Sequence, residues 1–318
     1  MRLLENISSE QWNLWITQAQ IIAQTGKLPN YIPLLNQVNV DDYAVLIVDS
    51  VGELFKSGNQ SKKFPLMSLI KPFLLLYLLE QKGSPWVFER VGNQASEYPF
   101  NSLKQLQLDR GFPRNPMINS GAIRLADLLS GKTSRDRCLA LQDWLNTQAQ
   151  CQLFLDEAML ASVRSRPNQK NLDLAQEMMN WGHLGDIDQA LDTYNQICCL
   201  TANIEDLAQL GLLLARSPSS IKTENTQHVQ TLMATCGLYE ASAQLIQEIS
   251  LPTKSGVSGG VLSIIPNQGA IAIYSPTLDP QGNSIAGLFL LKMIAASIKR
   301  NHSATTQEPH SLPQKLDK

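Results

Sequence analysis

The sequence predicts an α/β fold with an antiparallel sheet that is flanked by helices and carries an inserted helical lobe. Two hairpin patterns support this fold class. In the first, the β-branched run 43–49 is followed by a turn and a second strand pattern at residues 53–58. In the second, residues 261–265 and 270–274 flank the turn Pro266-Asn267-Gln268-Gly269. The third observation is a long helical pattern that separates the two hairpins along the chain.

The two ends of the chain are expected to meet, because the strands of one sheet must lie side by side. We therefore predict one domain of residues 1–300, with a sheet lobe formed by residues 1–83 and 236–300 and a helical lobe formed by residues 84–235. Residues 301–318 are polar and contain two prolines, which indicates a disordered tail. A cleft between the lobes is the expected place for a binding site.

Composition places the chain among globular proteins. Of its 318 residues, 43% are hydrophobic and 17% are charged. The net charge of −2 gives no reason to expect a nucleic acid or an anionic membrane as a partner. The N-terminus shows no signal-peptide pattern, and the longest apolar run, residues 73–79, is too short to span a bilayer. We therefore expect a cytoplasmic protein.

The cysteines and histidines argue against a disulfide framework and against a metal centre. The five cysteines are odd in number and irregularly spaced, which favours reduced thiols. The four histidines show no ligand spacing. We expect no metal and no cofactor.

Helices are predicted at both ends of the fold. The chain is expected to begin with a helix that ends at Gly26 and Pro29. The apolar residues that share one face of this helix are Trp12, Trp15, Ile16, Ala19 and Ile22. Residues 284–299 also have helical spacing and are expected to close the fold.

The first chemical signal is the stretch Ser68-Leu69-Ile70-Lys71, at the start of a helix that is predicted to end near Gly83. The hydroxyl and the amine stand at positions i and i+3 and share one helix face. A lysine at the mouth of a pocket of low dielectric constant has its charged form disfavoured, so it can act as a base toward a serine nucleophile. Pro72 fits a first turn but disfavours helical dihedral angles at Lys71. Alone, Ser-x-x-Lys is a weak signal, because a polar helix start has the same pattern.

The second chemical signal is Lys254-Ser255-Gly256. A Lys-Ser-Gly element on a strand, combined with Ser-x-x-Lys on a helix, marks the penicillin-recognising serine enzymes. The backbone N–H groups of Ser68 and Val257 would then form an oxyanion hole, in which one donor contributes about 3–4 kcal/mol of transition-state stabilisation. The alternative for Gly256, Gly259 and Gly260 is a bulged or edge strand.

A dense turn cluster, residues 113–122, leads directly into a predicted helix at residues 123–129. An asparagine at a helix start is commonly a capping residue. Asn119 is therefore either the cap of this helix or a residue of the site.

Several long and unusual sequence blocks, in order from about residue 31 to residue 290, resemble the serine-dependent glutaminases. The blocks are Tyr31-Ile32-Pro33, Ser68-Leu69-Ile70-Lys71, Val91-Gly92 with Pro99-Phe100-Asn101-Ser102, Asn115-Pro116-Met117-Ile118-Asn119-Ser120-Gly121-Ala122, Tyr194 with Cys198, Cys236-Gly237-Leu238-Tyr239, and the Gly-rich segment 251–260. The resemblance implies the fold of the serine β-lactamases. It also implies hydrolysis of L-glutamine to L-glutamate and ammonia.

The resemblance gives each site residue an expected role. Ser68 would attack the side-chain amide, and Lys71 would hold or remove the proton of its hydroxyl. Tyr239, together with Tyr31, would relay protons to the leaving ammonia. The residues that match the substrate-binding positions of the family are Ser68, Asn119, Asn171, Tyr194, Tyr239 and the backbone of Val257. The expected partners are L-glutamine and further copies of the chain, in a dimer or a tetramer.

One position departs from the family pattern. The family carries a glutamate seven residues before the asparagine that Asn171 matches, and this glutamate faces the α-ammonium group of glutamine. Here the position holds Arg164, or Val163 if one residue is inserted. The acidic residues in or beside this segment that we expect to supply a substitute are Asp156, Glu157 and Asp173. The alternative is a changed substrate selectivity.

Two other functions remain open. Another serine amidohydrolase of the same fold, such as a β-lactamase-like hydrolase, would need an export signal to reach cell-wall substrates, and none is seen. A catalytically impaired glutamine-binding relative is favoured by the missing glutamate. The intact residues that oppose this second alternative are Ser68, Lys71, Tyr239 and Lys254.

Overall fold

The computed structural model describes residue 4 and residues 7–238 and 248–305. The strands in these ranges are β1 (Ala44–Asp49), β2 (Glu53–Gly58), β3 (Phe64–Pro65), β4 (Phe154–Leu155), β5 (Leu200–Ala202), β6 (Thr253–Ser255), β7 (Gly260–Ile265) and β8 (Gly269–Tyr274). The α-helices are α1 (Ser9–Ala23), α2 (Lys71–Lys82), α3 (Ser84–Phe88), α4 (Leu103–Leu108), α5 (Asn119–Asp127), α6 (Ser134–Ala149), α7 (Glu157–Arg164), α8 (Gln169–Asn180), α9 (Ile187–Cys198), α10 (Ile204–Arg216), α11 (Thr223–Cys236) and α12 (Ile285–Thr305). Two 3-10 helices occupy Leu35–Gln37 and Met67–Ile70.

The predicted α/β fold with an antiparallel sheet is confirmed. Five strands lie in the order β2-β1-β8-β7-β6, and every neighbouring pair is antiparallel. Both predicted hairpins are present, and in the second the turn residue Asn267 adopts a positive φ of 61°. Strand β1 lies between β2 and β8, so the two ends of the chain meet in the sheet as expected.

Strands β1, β7 and β8 are buried on both faces of the sheet, and their successive residues point to opposite sides. On β1, Leu46 and Val48 face the large core shared with α2 and α10, whereas Val45 and Ile47 face a second core shared with α1 and α12. Helix α10 lies close against the sheet, where a side chain at Gly211 would come within 2.5 Å of the Cβ of Ala270. A helix of the predicted helical lobe thus packs on the sheet, and the division into lobes stays a prediction.

A second, three-stranded sheet was not predicted. It has the order β3-β5-β4 and joins segments that are far apart in sequence. Strands of two or three residues show no alternation that a sequence pattern could display. Strand β3 leads directly into the 3-10 helix Met67–Ile70, so this small sheet fixes the start of the segment that carries Ser68.

The predicted helices are present with shifted ends. Helix α1 begins at Ser9, and the preceding Ser8 caps it by accepting a hydrogen bond from the backbone N–H of Gln11. The buried face of this helix differs from the predicted one, because Ala23 is buried and Ile22 is only partly buried. Helix α2 ends before Gly83, which has a φ of +83°. Helix α12 continues to Thr305, beyond the predicted end, because no glycine or proline interrupts the pattern there. Residues 306–318 of the predicted tail lie outside the described residues.

The cysteines agree with the prediction of reduced thiols, since all five are free and buried. Within the described ranges, no helix is both long enough and apolar enough to cross a membrane.

Candidate active site

The predicted nucleophile lies at the junction of a 3-10 helix and an α-helix. Ser68 is the second residue of the 3-10 helix and is 8% exposed, and Lys71 is the first residue of α2. The backbone N–H of Lys71 donates to the carbonyl of Ser68. Met67, directly before the serine, has a φ of 49°, in the left-handed region that costs a non-glycine residue on the order of 1–3 kcal/mol. Such strain is concentrated at active sites, because the surrounding fold must impose it.

Lys71 is helical, although a residue before proline disfavours this conformation. Lys71 has helical dihedral angles (φ −59°, ψ −44°) although Pro72 follows it. Pro72 lies in the first turn, where its missing N–H needs no partner. Burial of the side chains on α2 overrides the local preference of a residue before proline, since Lys71 and its neighbours from Pro72 to Leu76 are all buried.

The Lys71 amine is fully buried and held by two oxygen atoms. Its Nζ donates to Asn119 Oδ1 at 2.8 Å and to the carbonyl of Met117 at 3.1 Å. The same Nζ lies 5.9 Å from the centre of the Tyr194 ring. Burial lowers the pKa of Lys71 to about 8, with a smaller opposing contribution from Cys198. Neutral acceptors satisfy the amine without adding a charge that would restore its ordinary pKa.

Asn119 lines the cleft and is not a capping residue. The N-cap of α5 is Ile118, and no side chain caps this helix. Asn119 instead donates through Nδ2 to Asn171 Oδ1 at 2.9 Å, while its Oδ1 accepts from Lys71 and, at 3.4 Å, from the hydroxyl of Tyr194. The capping interpretation is therefore wrong, because the side chain points into the interior rather than back to the helix start.

The loop before α5 is shaped by the buried Asn115. Its Oδ1 accepts from the backbone N–H groups of Met117 and Ile118, and its Nδ2 donates to the carbonyl of Gln94 at 2.7 Å. Gly121 permits this loop to lie against α5, since a Cβ there would come within 1.9 Å of the Asn115 carbonyl oxygen. These contacts fix the Met117 carbonyl and the Asn119 side chain that hold Lys71.

The structure brings most of the predicted site residues to one cleft of about 830 Å³. The predicted residues that line it are Tyr31, Ser68, Asn119, Asn171, Tyr194 and Val257. Lys71 lies behind this lining, in contact with Asn119. Tyr239 lies outside the described residues, so its predicted role is not addressed by the structure.

The glycines of the Lys-Ser-Gly segment permit a close approach to Ser68. A Cβ at Gly256 would lie 2.8 Å from the carbonyl oxygen of Leu66, and one at Gly260 would lie 2.5 Å from the side chain of Leu69. The alternative interpretation also applies in part, because β6 is an edge strand of the sheet. The turn between β6 and β7 therefore brings Val257 to the cleft beside the serine segment.

Lys254 is a second fully buried lysine, and it ties β6 to the end of α11. Its Nζ donates to the carbonyls of Gly237 at 2.9 Å and Ser255 at 2.7 Å. Burial and, to a lesser extent, the charge of Lys71 hold its pKa well below the ordinary range. Lys254 thus anchors the chain two residues before the predicted proton relay Tyr239.

The segment expected to contact the α-ammonium group presents cations to the cleft. Arg164, Arg166 and Lys170 line it, and no acidic residue is among its described lining residues. Arg164 pairs with Asp192, with 2.5 Å between Nη2 and Oδ1. Burial alone would raise the pKa of Asp192, but the hydrogen bonds from Arg164 and Gln196 hold it below the ordinary value.

The three acidic residues that were expected to substitute for the glutamate have other contacts. Asp156 caps α7 by accepting from the N–H of Met159, and Glu157 pairs with Arg135. Asp173 accepts from the side chain of Gln169. None of the three lines the cleft. The described side chains also include no cluster of His, Cys, Asp and Glu that could hold a metal ion.

Sequence comparison decides the family of this chain. The Glutaminase family profile matches residues 26–302. A glutaminase of Synechocystis sp. is 43% identical over 93% of this chain and 91% of its own length. The chain belongs to the glutaminase family. It is thereby an enzyme of the amidohydrolase class, and the resemblance seen in its motifs is confirmed.

Solved structures of other glutaminases share the fold. The probable glutaminase YbaS is 28% identical with a TM-score of 0.83, over 92% of this chain and 98% of that one. The Bacillus subtilis glutaminase YbgJ, in a covalent complex with 5-oxo-L-norleucine formed by reaction with 6-diazo-5-oxo-L-norleucine, is 26% identical with a TM-score of 0.81. That match covers 92% of this chain and 98% of YbgJ.

Several residues of this glutaminase site were missed by sequence reasoning. The Met117 carbonyl binds Lys71 as a backbone group, so no side-chain pattern marks it. Arg166 and Lys170 belong to the turn between α7 and α8 and the start of α8, where exposed cations look like any polar surface. The left-handed conformation of Met67 had no signal either, because glycine or asparagine is the usual residue there.

Proposed function

We propose that this protein hydrolyses the side-chain amide of L-glutamine to L-glutamate and ammonia through an acyl-enzyme on Ser68. The single observation that carries the proposal is the Lys71 amine, which is buried, has a pKa of about 8 and stands three residues after Ser68. An amine with this pKa is unprotonated in a useful fraction of molecules near neutral pH, so it can accept the serine proton.

In the first half of the reaction, Ser68 Oγ forms a bond to the amide carbon while its proton passes to Lys71 Nζ. The backbone N–H groups of Ser68 and Val257 are the proposed donors to the oxyanion of the tetrahedral intermediate. The carbon–nitrogen bond then breaks, and ammonia leaves with a proton relayed by Tyr239 or Tyr31. In the second half, water gives a proton to Lys71 Nζ as its oxygen bonds to the ester carbon. The bond between that carbon and Ser68 Oγ then breaks, Oγ takes the proton from Lys71, and L-glutamate is released.

The binding roles follow the positions of the side chains in the cleft. We assign Asn119, Asn171 and Tyr194 to the substrate, because all three line the cleft and are joined by hydrogen bonds that fix their orientation. Tyr31 is held at the rim, where Arg166 donates to the carbonyl of the preceding residue, Asn30, at 3.2 Å. Desolvation raises the pKa of Tyr31 to about 12, so its hydroxyl keeps its proton at neutral pH.

We further propose that the enzyme acts in the cytoplasm as a homo-oligomer, a dimer or a tetramer. The five buried, free thiols support a reducing compartment. Cell fractionation tests the compartment. Light scattering on the purified full chain tests the oligomer, and a monomeric mass across the working concentration range would refute it.

The nucleophile is tested with 6-diazo-5-oxo-L-norleucine. Its diazo carbon would alkylate Ser68 Oγ, take up the serine proton and release dinitrogen. Mass spectrometry of the digested protein should then find a 5-oxo-norleucine group on the peptide that contains Ser68. Ser68→Ala should abolish both this adduct and ammonia release from L-glutamine, whereas Ser61→Ala, outside the cleft lining, should abolish neither.

Two results would refute the proposed mechanism. One is an adduct on another residue in the wild-type protein. The other is ammonia release by Ser68→Ala within about tenfold of the wild type, which amounts to a loss of only about 1.4 kcal/mol of transition-state stabilisation. A folded wild-type protein that releases no ammonia from any amide would instead support the catalytically impaired relative.

A further inference from the structure

The loop that joins β8 to α12 lies against Val257, the proposed second donor to the oxyanion. Gly282 of this loop has a φ of +92°, and a Cβ added there would meet Val257 Cγ1 at 3.7 Å. The backbone N–H of Val257 makes no hydrogen bond to another backbone group of the described residues. It is therefore available to a substrate oxygen, and neighbouring residues must fix its position.

Asn283, the next residue of the loop, binds the strand that leads to Val257. Its Oδ1 accepts a hydrogen bond from the hydroxyl of Ser255, the last residue of β6, and both side chains are fully buried. The carbonyl of Ser255 accepts from Lys254 Nζ at 2.7 Å. Two side chains thus hold Ser255, one at its hydroxyl and one at its carbonyl, two residues before the proposed oxyanion donor.

Asn283 is itself held firmly by its own loop. Its backbone N–H donates to Asp279 Oδ1 at 2.9 Å, and its carbonyl accepts from the N–H of Asp279 at 2.8 Å. The next residue, Ser284, donates through Oγ at 2.7 Å to the carbonyl of Ser275, directly after the central strand β8. Strand β6 is at the edge of the sheet and has β7 as its only strand neighbour there. A side chain from this fixed loop can therefore determine where the edge strand lies.

The amide group of Asn283 suits this contact better than it suits packing. Its oxygen accepts the hydroxyl of Ser255 without adding a negative charge close to the site of the oxyanion. Its Nδ2 is buried and has no hydrogen-bond partner within the described residues. A leucine would fill the same space without an unpaired polar atom, so the bond from Ser255 is what distinguishes Asn283 from a packing residue.

We infer that Asn283 is a positioning residue of the active site, which holds Ser255 so that the N–H of Val257 is aimed at the carbonyl oxygen of the substrate. Asn283 is not among the residues that line the cleft, so it acts through β6 and not by contact with the substrate. A donor stabilises the charge that develops on this oxygen only if it is already in place when the charge forms. The inference rests on the proposed amide hydrolysis and adds to it a residue outside the cleft.

The first test compares two variants that each lose one fully buried hydroxyl from the strand pair β6 and β7. Ser255→Ala removes the bond to Asn283, whereas Ser263→Ala removes a contact of 2.9 Å with Thr253 Oγ1, at the other end of β6 and outside the cleft lining. We expect kcat for L-glutamine to fall about tenfold in Ser255→Ala, with KM changed less than about threefold. Ser263→Ala should keep the wild-type kcat. A wild-type kcat in Ser255→Ala, or an equal fall in Ser263→Ala, would overturn the inference.

The second test asks whether Ser255 and Asn283 act through one contact. Asn283→Ala should lower kcat about as much as Ser255→Ala, and the double variant should lose no more than either single variant. Two independent effects of about tenfold would instead multiply to about a hundredfold. A hundredfold loss in the double variant would overturn the inference. Ser255→Ala leaves Asn283 in place, so the first test decides the question if Asn283→Ala does not fold.

A spectroscopic reading is independent of turnover. 6-Diazo-5-oxo-L-norleucine labelled with carbon-13 at its ketone would leave on Ser68 a carbonyl close to the position of the substrate carbonyl. Hydrogen bonds to the ketone oxygen draw electrons from the carbon, so the carbon-13 resonance should lie downfield of that in the unfolded adduct. It should move towards the unfolded value in Ser255→Ala and not in Ser263→Ala.

The outcomes separate the inference from the proposed function. If the wild type hydrolyses L-glutamine and the resonance is the same in the wild type and in Ser255→Ala, the inference alone is overturned. If the wild type neither releases ammonia nor forms the adduct on Ser68, the proposed function falls and the inference falls with it.

Discussion

The Nζ atom of Lys71 lies 2.8 Å from Oδ1 of Asn119, and both groups are buried. Asn119 donates through Nδ2 to Asn171 Oδ1. The lysine is thus linked through two side chains to helix α8, where Asn171 lines the cleft. An amide oxygen satisfies the amine as a hydrogen-bond acceptor, but it adds no negative charge. Asn119 therefore holds Lys71 in place while burial keeps the pKa of Lys71 low.

Asn119→Asp should move the pH dependence of the reaction to higher pH. A carboxylate in contact with the amine favours the charged lysine and typically shifts its pKa by about 1–3 units. The midpoint of kcat/KM, which we expect at about 8 in the wild type from the Lys71 pKa, should therefore rise by about one unit or more. Asn180→Asp, an exposed change of the same kind outside the cleft lining, is the control. An unchanged midpoint in Asn119→Asp would mean that Lys71 does not govern the profile.

In the wild type, kcat/KM should increase from acid to mildly alkaline pH. Lys71 acts as a base only without its proton, and with a pKa of about 8 it loses that proton as the pH rises through this value. Below the midpoint the rate should fall about tenfold for each pH unit. Steady-state rates in buffers of constant ionic strength measure this directly. An optimum near pH 5 would indicate a carboxylate base and contradict the assignment of Lys71.

Much of this site could be predicted from sequence, because motifs state which residue types stand at fixed short spacings. Ser68 with Lys71 and the glycines near Val257 were found in this way, and the structure places them in or directly behind one cleft. The role of Asn119 could not be decided from local pattern alone. Its partners Lys71 and Asn171 lie 48 and 52 residues away, and only the tertiary fold shows that its side chain turns inward.

The charge of the cleft lining between Arg164 and Lys170 was the least predictable feature. The sequence showed Arg164 and three nearby acids, and short distance along the chain suggested that one of those acids would face the substrate. In the structure, Asp156 caps a helix, whereas Glu157 and Asp173 contact other side chains outside the cleft. The acid that pairs with Arg164 is Asp192, 28 residues further along the chain. Ion pairs between different helices leave no local sequence pattern.

Replacing Lys71 with methionine should change how stability depends on pH. The pKa of Lys71 falls from an ordinary value of 10.5 to about 8 on folding, so the unfolded chain binds more protons between these two values. The wild type therefore pays a folding cost that is complete below pH 8 and disappears as the pH rises towards 10.5. Between about pH 7.5 and pH 9.5, the stability of the wild type relative to Lys71→Met should rise by about 2 kcal/mol.

Urea unfolding of the two proteins at the two pH values measures this difference, since effects of other titrating groups largely cancel in the comparison. Loss of the hydrogen bonds to Met117 and Asn119 shifts the stability of Lys71→Met by an amount that does not depend on pH. The informative quantity is thus the change with pH of the difference in unfolding free energy between the two proteins. A difference that is constant with pH would show that Lys71 keeps its ordinary pKa in the folded protein.

The last prediction concerns Gly256, whose lack of a side chain lets the turn between β6 and β7 approach the serine segment. A Cβ at this position would lie 2.8 Å from the carbonyl oxygen of Leu66 and 3.3 Å from the side chain of Leu69. Backbone atoms cannot turn aside as a flexible side chain can, so Gly256→Ala must displace one of the two segments. The stability cost should be about 1–3 kcal/mol, as for other overpacked sites.

The effect on catalysis should be larger than the effect on substrate binding. Displacement moves the proposed oxyanion donor of Val257 relative to Ser68, and a shift of about 1 Å at such a site can lower the rate on the order of a hundredfold. We therefore expect kcat to fall at least tenfold, a transition-state loss of about 1.4 kcal/mol, with a smaller change in KM. Gly185→Ala is the control, because its added Cβ would have only ordinary contacts, the nearest at 3.6 Å. If both variants kept wild-type kcat while remaining folded, the close approach at Gly256 would serve packing alone, and the Val257 N–H would have to be removed from the oxyanion hole.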